Sequence, residues 1–114
     1  MMNEVQKRRF ADALARLSGD EALLASLATI TSEDAPGLLA QMNRHLEAGD
    51  LADYAHTAHA LKGLLSTFET NDPVKEMQPL IDAARQSDAD KVESQHISLH
   101  PKLESLLGEI TALC

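Results

Sequence analysis

Between Glu21 and Glu47 the apolar residues Leu23, Leu24, Leu27, Ile30, Ala35, Leu38, Leu39, Met42 and Leu46 recur at steps of three and four. That spacing gathers side chains on one face of an α-helix. A helix of this length spans about seven turns, and its stripe must be covered by other helices of the same chain. The apolar residues are mostly Leu and Ala, with two Phe, one Tyr and no Trp. A strand-rich fold would draw on β-branched and aromatic residues instead. The expectation is an all-α fold: one domain, residues 1–114, built as an antiparallel four-helix bundle with a short additional N-terminal helix.

Local signals divide the chain. Val5, Phe10, Leu14 and Leu17 suggest a first short helix from Met1 to about Leu17, broken by Ser18-Gly19-Asp20, with Asp20 placed to cap the long segment. Pro36 falls inside the long stripe and removes a backbone donor, which predicts a kink or break near Ser32–Pro36. Gly49-Asp50 closes that segment and caps the next, Leu51 to about Glu69. Asn71-Asp72-Pro73 reads as a turn with Pro73 at the first position of a segment reaching Gln86, and Ser87-Asp88 caps a last one from Ala89 to about Leu113. Pro79 and Pro101 lie inside these last two patterns.

The formal net charge of −8 argues against a nucleic-acid partner, since such proteins cluster Lys and Arg against phosphates. The one basic run, Lys7-Arg8-Arg9, reads as a solvated helix face. A single cysteine, Cys114, forms neither a disulfide framework nor a thiolate metal site. The opening MMNEVQKRRF lacks the apolar segment of a signal peptide. No run is long enough to span a membrane. A cytoplasmic, monomeric protein is expected, and Met1-Met2 fits a native start.

The segment from Leu51 carries the chemistry. At about 100° per residue, Leu51, Tyr54, Ala58, Leu61, Leu65 and Phe68 share the buried face. His59 then lies about 130° away, toward solvent. Gly63 is one turn further along nearly the same line, with Lys62 and Ser66 to the side. A solvent-facing neutral imidazole is a good nucleophile near neutral pH. A lysine one turn away can balance phosphoryl charge. Glycine inside a helix costs roughly 1 kcal/mol relative to alanine, a cost explained if another molecule's backbone must approach there.

At Ala58-His59-Ala60-Leu61-Lys62-Gly63 the sequence resembles the histidine-containing phosphotransfer (HPt) domains of bacterial phosphorelays, matching their A-H-x-L-K-G motif at every defined position. The similarity extends through Leu14–Leu24, Ala35-Pro36, Leu38-Leu39, Ala48-Gly49-Asp50, Ala83-Ala84-Arg85 and the Leu-rich end, about Phe10 to Leu113 in all. The resemblance implies that His59 accepts a phosphoryl group at Nε2 and exchanges it with an aspartate of a receiver domain, in a response regulator or a hybrid kinase. Lys62 would steady the charge and Gly63 would admit the receiver's loops. The domain would hold no cofactor of its own, the divalent Mg²⁺ belonging to the receiver. It would be a phosphocarrier and not an enzyme. Two positions depart from the family: Leu64 stands where a small residue is usual, and Glu69 replaces a glycine after Phe68. Leu64 then becomes a lip of the docking surface, and on the next helix Gln78 or Asp82 is placed to orient the imidazole.

Other readings use other residues. His56, one turn before His59, is an alternative acceptor but lacks the Lys-Gly pair at the right offset. Glu93 and His96 form a Glu-x-x-His step, and His96 and His100 share a helical face, the elements of a metal-binding bundle. A dimetal bundle needs two such steps, and only one is present. A third reading is an interaction bundle in which the motif is not phosphorylated.

Overall fold

The computed structural model describes residues 2–114, and among them it has six α-helices and no strand. They are α1 (Glu4–Arg9), α2 (Ala11–Arg16), α3 (Glu21–Glu47), α4 (Leu51–Leu65), α5 (Met77–Arg85) and α6 (Ala89–Thr111). Helices α3 to α6 close a ring: α3 packs on α4, α4 on α5, α5 on α6, and α6 on α3. With short connections, consecutive members run antiparallel. Leu24, Met42, Tyr54, Leu61, Leu65, Met77, Leu80, Ile81, Leu103, Leu106 and Ile110 fill the space between them and are fully buried.

Each long helix starts on an aspartate. Asp20 accepts from the Leu23 amide at 3.0 Å, Asp50 from Asp53 at 3.2 Å and Asp88 from Lys91 at 3.2 Å. These bonds satisfy first-turn donors that have no partner within the helix. The left-handed backbone of Gly49 (φ 71°) ends α3. Its amide bonds the Leu46 carbonyl, while Asp50 bonds that of His45, so one tight turn both closes α3 and caps α4.

Four expected helix boundaries need correction. The first segment, whose Met1 lies outside the described residues, is two helices. Phe10 caps both, with a 1% exposed ring that meets Phe68 edge-on at 6.2 Å. Breaking the helix there lets the ring drop into the core. Of the kink or break expected near Pro36, the break does not occur, and α3 runs through it. Pro36 is exposed, so the Ser32 carbonyl that loses its partner can be hydrated, while Ala35 and Leu39 on the inner face remain buried. Pro101 in α6 is likewise exposed, four residues after the exposed Ile97.

The other two corrections concern ends. Helix α4 stops at Leu65, after which the chain turns to drive Phe68 into the core and bring Glu69 to Arg9 at 2.6 Å. Helix α5 begins at Met77, with residues 72–76 in turns. Had it begun at Pro73, Pro79 would cost an interior hydrogen bond; beginning at Met77 puts Pro79 in the first turn, where amides are unbonded anyway. The long stripe also divides. Leu24, Ala28, Thr31, Ala35, Leu39 and Met42 are buried, whereas Leu23 and Ile30 stand 43% and 50% exposed.

Candidate functional site around His59

The orientation of α4 is set by what it buries. Tyr54, Ala58, Leu61 and Leu65 are each at most 1% exposed, with Ala55 and Thr57 beside them and Leu51 only half-buried. The opposite side is turned to solvent, and His56, His59, Ala60 and Gly63 are all exposed on it. A Cβ built on Gly63 would meet nothing within 4 Å. No packing contact inside the bundle therefore requires glycine there. Its place one turn from the His59 ring leaves an open strip of helix surface beside the imidazole.

Lys62 is half-buried between α4 and α5 and points its ammonium across the groove. Its Nζ donates to Gln78 Oε1 at 2.6 Å, and Gln78 Nε2 donates to Asp82 Oδ1 at 2.8 Å. A carboxylate accepts only, so Asp82 turns the Gln78 amide such that its oxygen faces Lys62. Gln78 and Asp82, expected to hold the imidazole, form a relay to the lysine instead. Ser66 Oγ donates to the Lys62 carbonyl at 2.6 Å, helping to end α4 beside the site. Leu64 is half-buried against the core. The fold thus brings Lys62, Gln78 and Asp82 together and leaves His59 and Gly63 open beside them, while Ser66 acts on backbone.

The elements of the metal reading serve another purpose. His96 is 7% exposed and both ring nitrogens are engaged, Nδ1 with Tyr54 Oη at 2.8 Å and Nε2 with Asn43 Oδ1 at 2.8 Å. His100 Nδ1 lies 2.8 Å from Glu104, and Glu93 is exposed. Burial, and secondarily the neighbouring His100, push the His96 pKa below the ordinary imidazole value. Sequence reasoning missed Tyr54 and Asn43 as polar partners. The signal was available, because His96 falls on the stripe of Val92, Leu99, Leu103 and Leu106 and so had to be buried. A different grouping, His45, Asp50 and Asp53, has ligand atoms within 4.8 Å of one another at the α3–α4 turn. There the hydrogen bond between the two carboxyl groups holds Asp50 below and Asp53 above the usual carboxylate range.

Among the described residues no helix is long and apolar enough to cross a membrane. Neither the curated proteins nor the solved structures compared with the chain gave a match. The family model of the Hpt domain matches residues 26–113, from the second turn of α3 to beyond the end of α6, and so takes in all four helices of the ring except the start of α3. With most of its length matched, the chain belongs to the Hpt domain family, whose members carry phosphoryl groups on histidine in two-component phosphorelays.

Proposed function

We propose that His59 is the phospho-acceptor of this domain, taking a phosphoryl group from the aspartyl phosphate of one receiver domain and returning it to the aspartate of another. The observation that carries this reading is the exposed His59–Gly63 strip of α4 with the Lys62 ammonium held beside it by α5. In the forward step the neutral ring, with Nδ1 protonated, attacks phosphorus through the Nε2 lone pair. The N–P bond forms as the acyl P–O bond breaks, and the receiver's carboxylate leaves with that electron pair. The reverse step regenerates the imidazole. Such transfer is governed by in-line positioning and charge compensation. The receiver would bring the aspartate and its Mg²⁺; this chain would bring the ring, the access and one positive charge.

The relay assigns a part to each neighbour. Gln78, oriented by Asp82, keeps Lys62 extended over the α4–α5 groove. An ammonium held in place needs little rearrangement when charge arrives. Gly63 gives the receiver's loops room, and Leu64 offers an apolar edge for docking. With no ATP site in this reading, the domain is a carrier supplied by others and acts without kinase activity of its own.

The test is phosphate uptake from a receiver domain phosphorylated in the presence of Mg²⁺. Wild type and His56→Gln should gain an acid-labile, base-stable phosphoryl group, and His59→Gln should gain none while keeping its helical circular dichroism. Full labelling of His59→Gln would overturn the assignment. Receiver binding without labelling of any variant would favour the interaction-bundle reading.

A further inference from the structure

A line of hydrogen bonds crosses the core on residues that phosphotransfer does not use. It runs from Tyr54 of α4 to His96 of α6 (2.8 Å), to Asn43 of α3 (2.8 Å), back to His100 of α6 (3.5 Å) and out to Glu104 (2.8 Å). Tyr54 is fully buried, His96 is 7% exposed, and the Glu104 side chain is 60% exposed. The line therefore leads from the centre of the bundle to solvent.

Its direction is set at the surface. Glu104 as a carboxylate only accepts, so His100 carries its hydrogen on Nδ1, and the neutral ring leaves Nε2 as an acceptor. That acceptor takes Nδ2–H of Asn43, which turns Asn43 Oδ1 toward His96. His96 must then carry its hydrogen on Nε2, and its bare Nδ1 accepts the Tyr54 hydroxyl. One exposed carboxylate thus fixes the tautomer of a buried imidazole and the direction of a buried hydroxyl. Asn43 is the member that can reverse, because half a turn of its amide exchanges acceptor and donor. It also holds the longest bond of the line, to His100.

We propose that this line is a proton-operated switch, in which uptake of one proton by His100 turns the Asn43 amide and reverses each hydrogen bond as far as Tyr54. The proton comes from solvent onto the Nε2 lone pair of His100, whose Nδ1–H stays on Glu104. Nε2–H must now donate, so Asn43 presents Oδ1 to His100 and Nδ2–H to His96. His96 releases its Nε2 proton to solvent and takes one at Nδ1, leaving one proton gained in all. Tyr54 Oη becomes the acceptor of that Nδ1–H, and its own hydrogen loses the partner it had. The three helices that share the line, α3, α4 and α6, feel the change together.

The surroundings keep a second proton off His96. His96 faces the neutral Asn43 from α3 and the phenol of Tyr54 from α4, and the one charge acting on it is that of His100, which disfavours a second cation. His100 faces Asn43 across α3 and has Glu104 on its own helix. Of the other titratable groups on the packed helices, Glu33, Asp34, Arg44 and Glu47 on α3, Asp53, His56 and His59 on α4, and Asp82 and Arg85 on α5 are exposed. The half-buried ones are held elsewhere: Glu21 lies 3.9 Å from Lys7, His45 sits beside Asp50 and Asp53 at the α3–α4 turn, and Lys62 donates to Gln78. Glu76, just ahead of α5, is engaged with Lys102 at 3.4 Å.

Long-range nitrogen–proton spectra of the labelled whole chain read the switch directly, at about pH 8 and about pH 5.5, on either side of the range where imidazole ordinarily titrates. At the higher pH His96 should show a protonated Nε2 and a bare Nδ1. At the lower pH the two should exchange roles while His100 carries both hydrogens. His100→Gln, which cannot titrate, should keep the first pattern at both values. Should that variant fail to fold, Glu104→Gln serves: its side-chain amide donates or accepts, so His96 should show both tautomers already at the higher pH. A His96 that keeps Nε2–H through full protonation of His100, or that reverses in His100→Gln, would overturn the proposal, as would one unchanged tautomer in Glu104→Gln.

Discussion

Gly63 offers the sharpest separation of stability from function. It sits two residues before Leu65, the end of α4, is exposed, and has open space where a Cβ would go. Alanine there removes the entropic cost of glycine in a helix without a clash, a gain of about 0.5–1 kcal/mol. Unfolding entropy near the midpoint is about 2.1 cal/mol/K per residue, so the 114-residue chain has roughly 240 cal/mol/K. Gly63→Ala should therefore raise Tm by about 2–4 °C in a thermal melt followed by circular dichroism. Gly63→Gln should melt no lower than wild type, since its side chain projects into solvent. Its rate of phosphate uptake from a phosphorylated receiver should nonetheless fall at least about tenfold, because displacing reacting groups by about 1 Å can cost on the order of 100-fold. A Gly63→Ala variant that melts well below wild type would show that the α4 facing is wrong. A Gly63→Gln variant that exchanges phosphate at the wild-type rate would refute the close-approach argument.

Lys62→Ala removes charge compensation and leaves access intact, so transfer should slow by about tenfold or more, on the scale of one positioned charge, while receiver affinity in a titration changes little. Asp82→Asn should give a smaller loss in the same assay, because its amide no longer dictates which way Gln78 turns. Tyr54→Phe leaves the buried His96 Nδ1 without its donor and should cost about 1–3 kcal/mol in urea unfolding. Burial lowers the folded-state pKa of His96, so the unfolded chain binds the proton more readily. The stability from its neutral ring is then complete above the ordinary imidazole value of about 6.5 and declines as pH falls from there through the lowered value. Urea midpoints at about pH 8 and 5.5 should show that decline, smaller in His96→Gln, and a midpoint that rises on acidification would contradict it.

What was legible in the sequence was set by local physics. Helical spacing, the three capping aspartates and Gly49 each act within a few residues, and the helices they mark are present within a turn or so. The exposure of His59 and Gly63 followed from the same phase, because Tyr54, Ala58, Leu61 and Leu65 leave α4 only one way to face. The departures came from tertiary contacts. Phe10 breaks the first helix because a ring is buried there, and Pro36 fails to break α3 because the lost bond lies on the wet side. The partner of Gln78 depended on which side chain of α4 reaches across the groove, and Lys62 does. Arg9 joins Glu69 at 2.6 Å and Glu109 at 2.9 Å, a link between distant segments that no local pattern announces. In it, burial raises the Glu69 pKa, but the Arg9 hydrogen bond and backbone amides outweigh that and hold it low.

The central claim is that His59 carries the phosphoryl group. The most direct measurement is to phosphorylate the whole chain from a receiver domain, then locate the phosphorus by phosphorus–proton correlation and by mass mapping of peptides prepared at alkaline pH. The account predicts a single phosphohistidine at His59, bonded through Nε2. A phosphoryl group on His56, or on any residue other than His59, would contradict it.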